Sequence, residues 1–183
     1  MIIDLTQVIP VENVPASSQE QVVPIWGEAA PSGVGIVEME YRPAQLEVRL
    51  AHDTGTHIHF PSYFDPGGRG AADYRIEDFV NSAVVVDLHR EPRIDPYVEA
   101  LIFYGGSDGA QRKVLEQCHN IRLVGMAGHA PRPHGRDILL LENLQNIERL
   151  YGFAGPRPFR LVSVPLPYRS GATAHVRAYA EVR

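Results

Sequence analysis

Asp53-Thr54-Gly55-Thr56-His57-Ile58-His59-Phe60-Pro61-Ser62-Tyr63 sets a carboxylate, two imidazoles and a phenol within eleven residues. Side chains alternate faces along an extended chain, so Asp53, Gly55, His57, His59, Pro61 and Tyr63 would share one side of such a segment. Neutral imidazole and carboxylate suit Zn²⁺, Mn²⁺ or Fe²⁺. Extended, His57 and His59 lie roughly 7 Å apart at Cα, within reach of one ion. Asp53 lies about 13 Å from His57 on the same geometry, so it joins that ion only if the chain bends, and Gly55 permits a bend. The alternative is a polar strand edge whose histidines are hydrogen-bonded.

A second acidic signature lies downstream. Ile138-Leu139-Leu140-Leu141-Glu142-Asn143-Leu144 is an apolar run with one carboxylate near its end, shortly after His134. Such a run reads as a buried strand, and a glutamate there is costly unless it is paired or binds a cation. The other reading makes Glu142 a solvated first-turn carboxylate of a helix running through Gln145 to Leu150, stabilised by the helix dipole.

Around these two segments the chain reads as one domain over residues 1–183, with no repeat or linker dividing it. A chain of this length buries about 70% of its unfolded surface, enough for a core without disulfide staples. The apolar content is 44% and the charged content 21%, ordinary for a globular protein. Strands are predicted over Ile2 to Leu5, Gly35 to Tyr41, Glu47 to Ala51, Ala83 to Leu88, Glu99 to Tyr104, Arg122 to Ala127, Phe159 to Leu166 and Ala174 to Val182. A helix is predicted over Gly109 to Cys118 and a helical turn over Gln145 to Tyr151. Pro10 to Pro31 reads as a long loop with Trp26 holding it to the core, and Pro66 to Gly70 as a turn.

Composition also excludes functions. The net charge is −5, with sixteen Arg against a single Lys113, so the chain lacks the positive footprint of a nucleic-acid binder. Scattered arginines read as surface ion-pair partners, Asp4 as a turn or hydrogen-bonding residue, and His89, His119 and His175 as structural. Cys118 is the sole cysteine, which rules out an internal disulfide. Met1-Ile2-Ile3-Asp4 shows no targeting pattern and eighteen consecutive apolar residues occur nowhere, so no membrane partner and a cytoplasmic location are expected.

Taken together, Asp53 to Phe64, the opening Ile2-Ile3-Asp4-Leu5-Thr6, Tyr74 to Phe79, Ala83 to Leu88 and Leu141-Glu142-Asn143-Leu144 resemble the putative cyclase and kynurenine formamidase-like metal-dependent hydrolases, whose signature is H-x-G-T-H-x-D-x-P-x-H. Gly55, Thr56, His57 and Pro61 fit that signature. Asp53 stands where the family has its first His, His59 where it has Asp, and Tyr63 where it has its last His. The resemblance implies an α+β domain of swivelling β/β/α type with a mixed β-sheet or barrel-like core. It implies a divalent metal, Zn or Mn, held by Asp53, His57, His59 and Glu142, with either His129, thirteen residues before Glu142, or His134, eight before it. It implies metal-activated hydrolysis of a small amide, formamide or lactam, with Glu142 or Asp53 carrying the proton that Tyr63 is a poor base to take near neutral pH. The expected partners are a small-molecule substrate and further copies of the chain, as a homodimer or homotetramer. The alternative is a non-hydrolytic relative, a binding protein or lyase that has kept the fold and lost the hydrolytic site.

Overall fold

The computed structural model describes residues 1–7, 9, 38–42, 45–49, 53–90, 94–129, 137–166 and 171–183. In chain order its elements are β1 (Ile2–Asp4), β2 (Glu38–Arg42), β3 (Gln45–Arg49), β4 (His57–His59), β5 (Val80–Asp87), β6 (Ala100–Tyr104), α1 (Asp108–Gln117), β7 (Leu123–Gly125), β8 (Leu139–Glu142), α2 (Ile147–Ala154), β9 (Phe159–Val162), β10 (Thr173–His175) and β11 (Tyr179–Glu181). Strands β2 and β3 form a separate antiparallel pair. The other nine make one mixed sheet in the order β1-β11-β9-β5-β6-β7-β8-β4-β10.

The apolar runs become the parallel centre of that sheet, β5 through β8. Strands covered on both faces need apolar residues at every position, which is why Ala83 to Val86 and Leu101 to Phe103 do not alternate with polar residues. Val85, Ile102, Leu139 and Leu141 turn to one core, where α2 adds Ile147, Leu150 and Ala154. Val84, Val86, Leu101, Phe103 and Leu140 turn to the other, where α1 adds Val114 and Leu115. Helix α1 starts where Ser107 accepts a hydrogen bond from the Ala110 amide, as an N-cap serine does. Helix α2 stops at Gly155, whose φ of +56° ends the helical path.

The predicted strand from Ala174 to Val182 is instead two strands, and its interruption shapes the molecule. The Val176 amide donates to the Thr56 carbonyl on one side of the sheet, while the Ala178 carbonyl accepts from the Leu5 amide on the other. Only residues 176–178 join β10 to β11, yet six strands lie between these two in the sheet order. In a flat sheet those strands would sit roughly 34 Å apart, whereas four Cα steps span at most about 15 Å. The sheet therefore curls, and a mixed, barrel-like α+β core of the expected kind results.

Smaller expectations resolve similarly. Phe159 to Leu166 pairs as a strand only to Val162, and Arg122 to Ala127 only over Leu123–Gly125. Asp4 accepts from the Thr6 amide and pairs with Arg177, and Arg69 and Arg160 pair with Asp137 and Glu181. Cys118 caps the C-terminus of α1, half-buried. Among the described residues no helix is long and apolar enough to cross a membrane. The segment Pro10 to Pro31 with Trp26, and His134, lie outside the described residues.

Candidate metal centre

Strand β4 runs antiparallel between β8 and β10, which sets His57 directly opposite Glu142 on one side and His175 on the other. His59, two residues on and facing the same way, lies opposite Leu140 and Thr173. The approach to β4 is built for this placement. Gly55 has φ +67°, and a Cβ there would lie 2.6 Å from the Ile9 side chain, so only glycine makes the turn without strain. Asn143, itself at φ +57°, donates from Nδ2 to the Asp53 and Gly55 carbonyls at 3.1 and 3.2 Å. The Thr56 hydroxyl donates to the Asn143 carbonyl at 2.8 Å and accepts from the Gln7 amide at 2.7 Å. The residue after the buried glutamate thus holds the turn before the first histidine.

Strand β4 covers only His57–His59, so the expected single face from Asp53 to Tyr63 does not form. Gly55 turns the chain before it, and Pro61 opens a 3-10 turn, Pro61–Tyr63, after it. Asp53 is exposed on the turn, and the structure does not bring it to the histidines. Tyr63 folds back instead, its ring centroid 4.0 Å from that of His59, with Phe64 edge-on to both.

His57, His59 and Glu142 are buried, at 0%, 4% and 3% exposure, and their ligand atoms all lie within 4.8 Å of one another. His57 Nε2 and His59 Nε2 are 3.1 Å apart, and Glu142 Oε2 is 3.7 Å from the first and 3.6 Å from the second. The point equidistant from three atoms so separated is about 2.0 Å from each, the bond length of Zn²⁺ to imidazole nitrogen or carboxylate oxygen. The donor set fits a divalent cation in type and in spacing. Burial pushes the His57 imidazole down to about 4, with His59 and His175 acting the same way against the Gly55 carbonyl and Glu142. His57 is neutral at neutral pH, as a ligand must be. Its Nδ1 lies 2.9 Å from the Gly55 carbonyl, which can only accept, so Nδ1 carries the proton and Nε2 presents its lone pair to the cluster.

His129, the one of the two downstream histidines that lies among the described residues, reaches the site: its Nδ1 is 2.7 Å from Glu142 Oε2, with its side chain 70% exposed. Glu142 ends a buried strand and does not start a helix, since α2 begins five residues later. Sequence reasoning missed Thr173, whose hydroxyl lies 2.8 Å from His59 Nδ1, together with Asn143 and the nearness of His175 to His57. No spacing signal points to them, because each depends on pairing between segments more than 80 residues apart.

A family model described as "Putative cyclase" matches residues 3–105. A comparison with curated protein sequences returns no match. Among solved structures, isatin hydrolase A from Labrenzia aggregata superposes with a TM-score of 0.62 at 20% identity, covering 98% of this chain and 93% of that one. Isatin hydrolase A from Ralstonia solanacearum gives 0.62 at 18%, covering 98% and 91%. A protein described as a predicted metal-dependent hydrolase from Bacillus stearothermophilus gives 0.56 at 18%, covering 98% and 97%.

Proposed function

The chain belongs to the putative cyclase family, and from that premise we propose that it is a metal-dependent hydrolase of a small amide, formamide or lactam. The observation that supports this reading is the buried triangle of His57 Nε2, His59 Nε2 and Glu142 Oε2, sized for one divalent cation; Zn²⁺ or Mn²⁺ is the ion proposed for it. When bound, such a cation supplies Lewis acidity toward a carbonyl oxygen and toward water.

The chain's own residues do the remaining work. The Gly55 carbonyl and the Thr173 hydroxyl hold the two imidazoles by their Nδ1 atoms. Tyr63 and Phe64 pack their rings against His59 and restrain it on that side. His129 holds Glu142 Oε2 through its Nδ1 at 2.7 Å while its own side chain is 70% exposed, so in this reading the His129 imidazole is the group that exchanges a proton with solvent beside the ligating carboxylate. Asp53, outside the cluster, has no part in this step.

The test is hydrolysis of isatin, a lactam, and of an N-formyl arylamine by protein loaded with Zn²⁺ or Mn²⁺. Turnover that disappears on chelation and in His57→Ala supports the reading. Loaded, folded protein that leaves a broad panel of amides, formamides and lactams intact overturns it. One observation favours the second reading, a relative that binds without hydrolysing: a phenol packs on His59 where the family signature has an imidazole. Calorimetric binding of such compounds, recovered unchanged, would decide for it.

A further inference from the structure

We propose that Thr173 is a positioning residue that sets the orientation and tautomer of His59, an inference that rests on the metal-site reading above. Strand β10 places Thr173 directly opposite His59, and the Thr173 hydroxyl lies 2.8 Å from His59 Nδ1. The two histidines differ in what holds them. His57 Nδ1 faces a carbonyl, so its proton is fixed there and its Nε2 is always an acceptor. His59 faces a hydroxyl, which donates or accepts as required.

That difference matters because the two Nε2 atoms are only 3.1 Å apart. Without a cation, two lone pairs at this distance repel, and the contact is a hydrogen bond only when His59 Nε2 carries the proton and donates it to His57. His59 Nδ1 is then bare, and the Thr173 hydroxyl donates to it. With a cation, both Nε2 lone pairs must face the ion, so the single proton of His59 sits on Nδ1 and Thr173 accepts from it. Between the two arrangements the Thr173 hydroxyl reverses its direction. A carbonyl in this place would serve only the loaded state, and a methyl group neither. The Tyr63 ring, 4.0 Å from the His59 ring, restrains the imidazole plane while the hydroxyl fixes its edge.

The experiment measures Zn²⁺ affinity by competition with a chromophoric chelator for the wild type, Thr173→Val and Thr173→Ser. Thermal melts of the metal-free proteins check that each folds. Loss of such an outer hydrogen bond lowers metal affinity about 10- to 100-fold, so Thr173→Val should bind that much more weakly and Thr173→Ser should return close to wild type. In ¹⁵N-histidine spectra of the wild type, the His59 proton should reside on Nε2 without metal and on Nδ1 with Zn²⁺. Equal affinities of wild type and Thr173→Val, or a His59 proton on Nδ1 in both states, would overturn the role of Thr173. Absence of Zn²⁺ and Mn²⁺ binding by the wild type would instead overturn the metal-site reading itself. Should Thr173→Val fail to fold, the serine variant and the wild-type spectra still decide.

Discussion

His57 concentrates the chemistry of the site in one side chain: fully buried, neutral, held at one nitrogen and free to ligate at the other. His57→Ala should lose most of its metal while keeping a cooperative unfolding transition, and unchanged metal stoichiometry would refute the ligand assignment. The buried imidazole also makes metal-free protein acid-sensitive. Its folded-state value is about 4 against an ordinary 6.5, so between these values the unfolded chain binds a proton that the folded chain refuses. Stability is therefore full above pH 6.5 and declines as pH falls toward 4, by roughly 3 kcal/mol at most from this residue. Urea unfolding of metal-free wild type and His57→Gln across this window checks it, since the variant should lack that part of the slope. His57, His59 and Glu142 were legible in the sequence because their types and the burial of their strands are local properties. Thr173 and His175 were not, because nothing local ties either to the site until β10 is seen to pair with β4.

At the scale of elements, the turn before β4 is the part most exposed to a single change. In Gly55→Ala the new methyl meets the Ile9 side chain at 2.6 Å in a backbone at φ +67°, a combination expected to cost about 1 to 3 kcal/mol. The same substitution should weaken metal binding, because Gly55 also supplies the carbonyl that orients His57. Gly152→Ala is the contrasting case. Gly152 lies inside α2 with nothing within 4 Å of the place a methyl would occupy, so this change should stabilise the protein by about 0.5 to 1 kcal/mol. A denaturant midpoint that does not fall in Gly55→Ala would show that the turn geometry is misjudged, and one that does not rise in Gly152→Ala would show the same of the helix position. The central strands fell where the apolar runs put them, and α1 within a residue of its predicted bounds. The segments 61–63 and 174–182 did not read correctly, because a 3-10 turn packed under His59 and a strand broken to join two sides of a sheet are dictated by tertiary contacts.

For the whole molecule the consequence lies in the curl. Strands β4 and β8 carry the ligands, and the chain passes from β10, the edge strand beside β4, through residues 176–178 straight to β11, which pairs with β1 and β9. No composition or periodicity announces this closure, since it exists only once registers between distant segments are fixed. It predicts that ion binding is felt on both sides of the sheet. A cation at one hundred times its dissociation constant adds about 2.7 kcal/mol to unfolding, a hundredfold in the opening equilibrium. If the curled sheet opens as one unit, hydrogen exchange at the Leu5 amide, bonded to Ala178, and at the Val182 amide, bonded to Met1, should slow by the same factor as at Met126, bonded to Leu141 beside the site. Slowing confined to β4, β8 and β10 would show that these strands open separately from β1, β9 and β11, and that the metal stabilises only its own corner of the sheet.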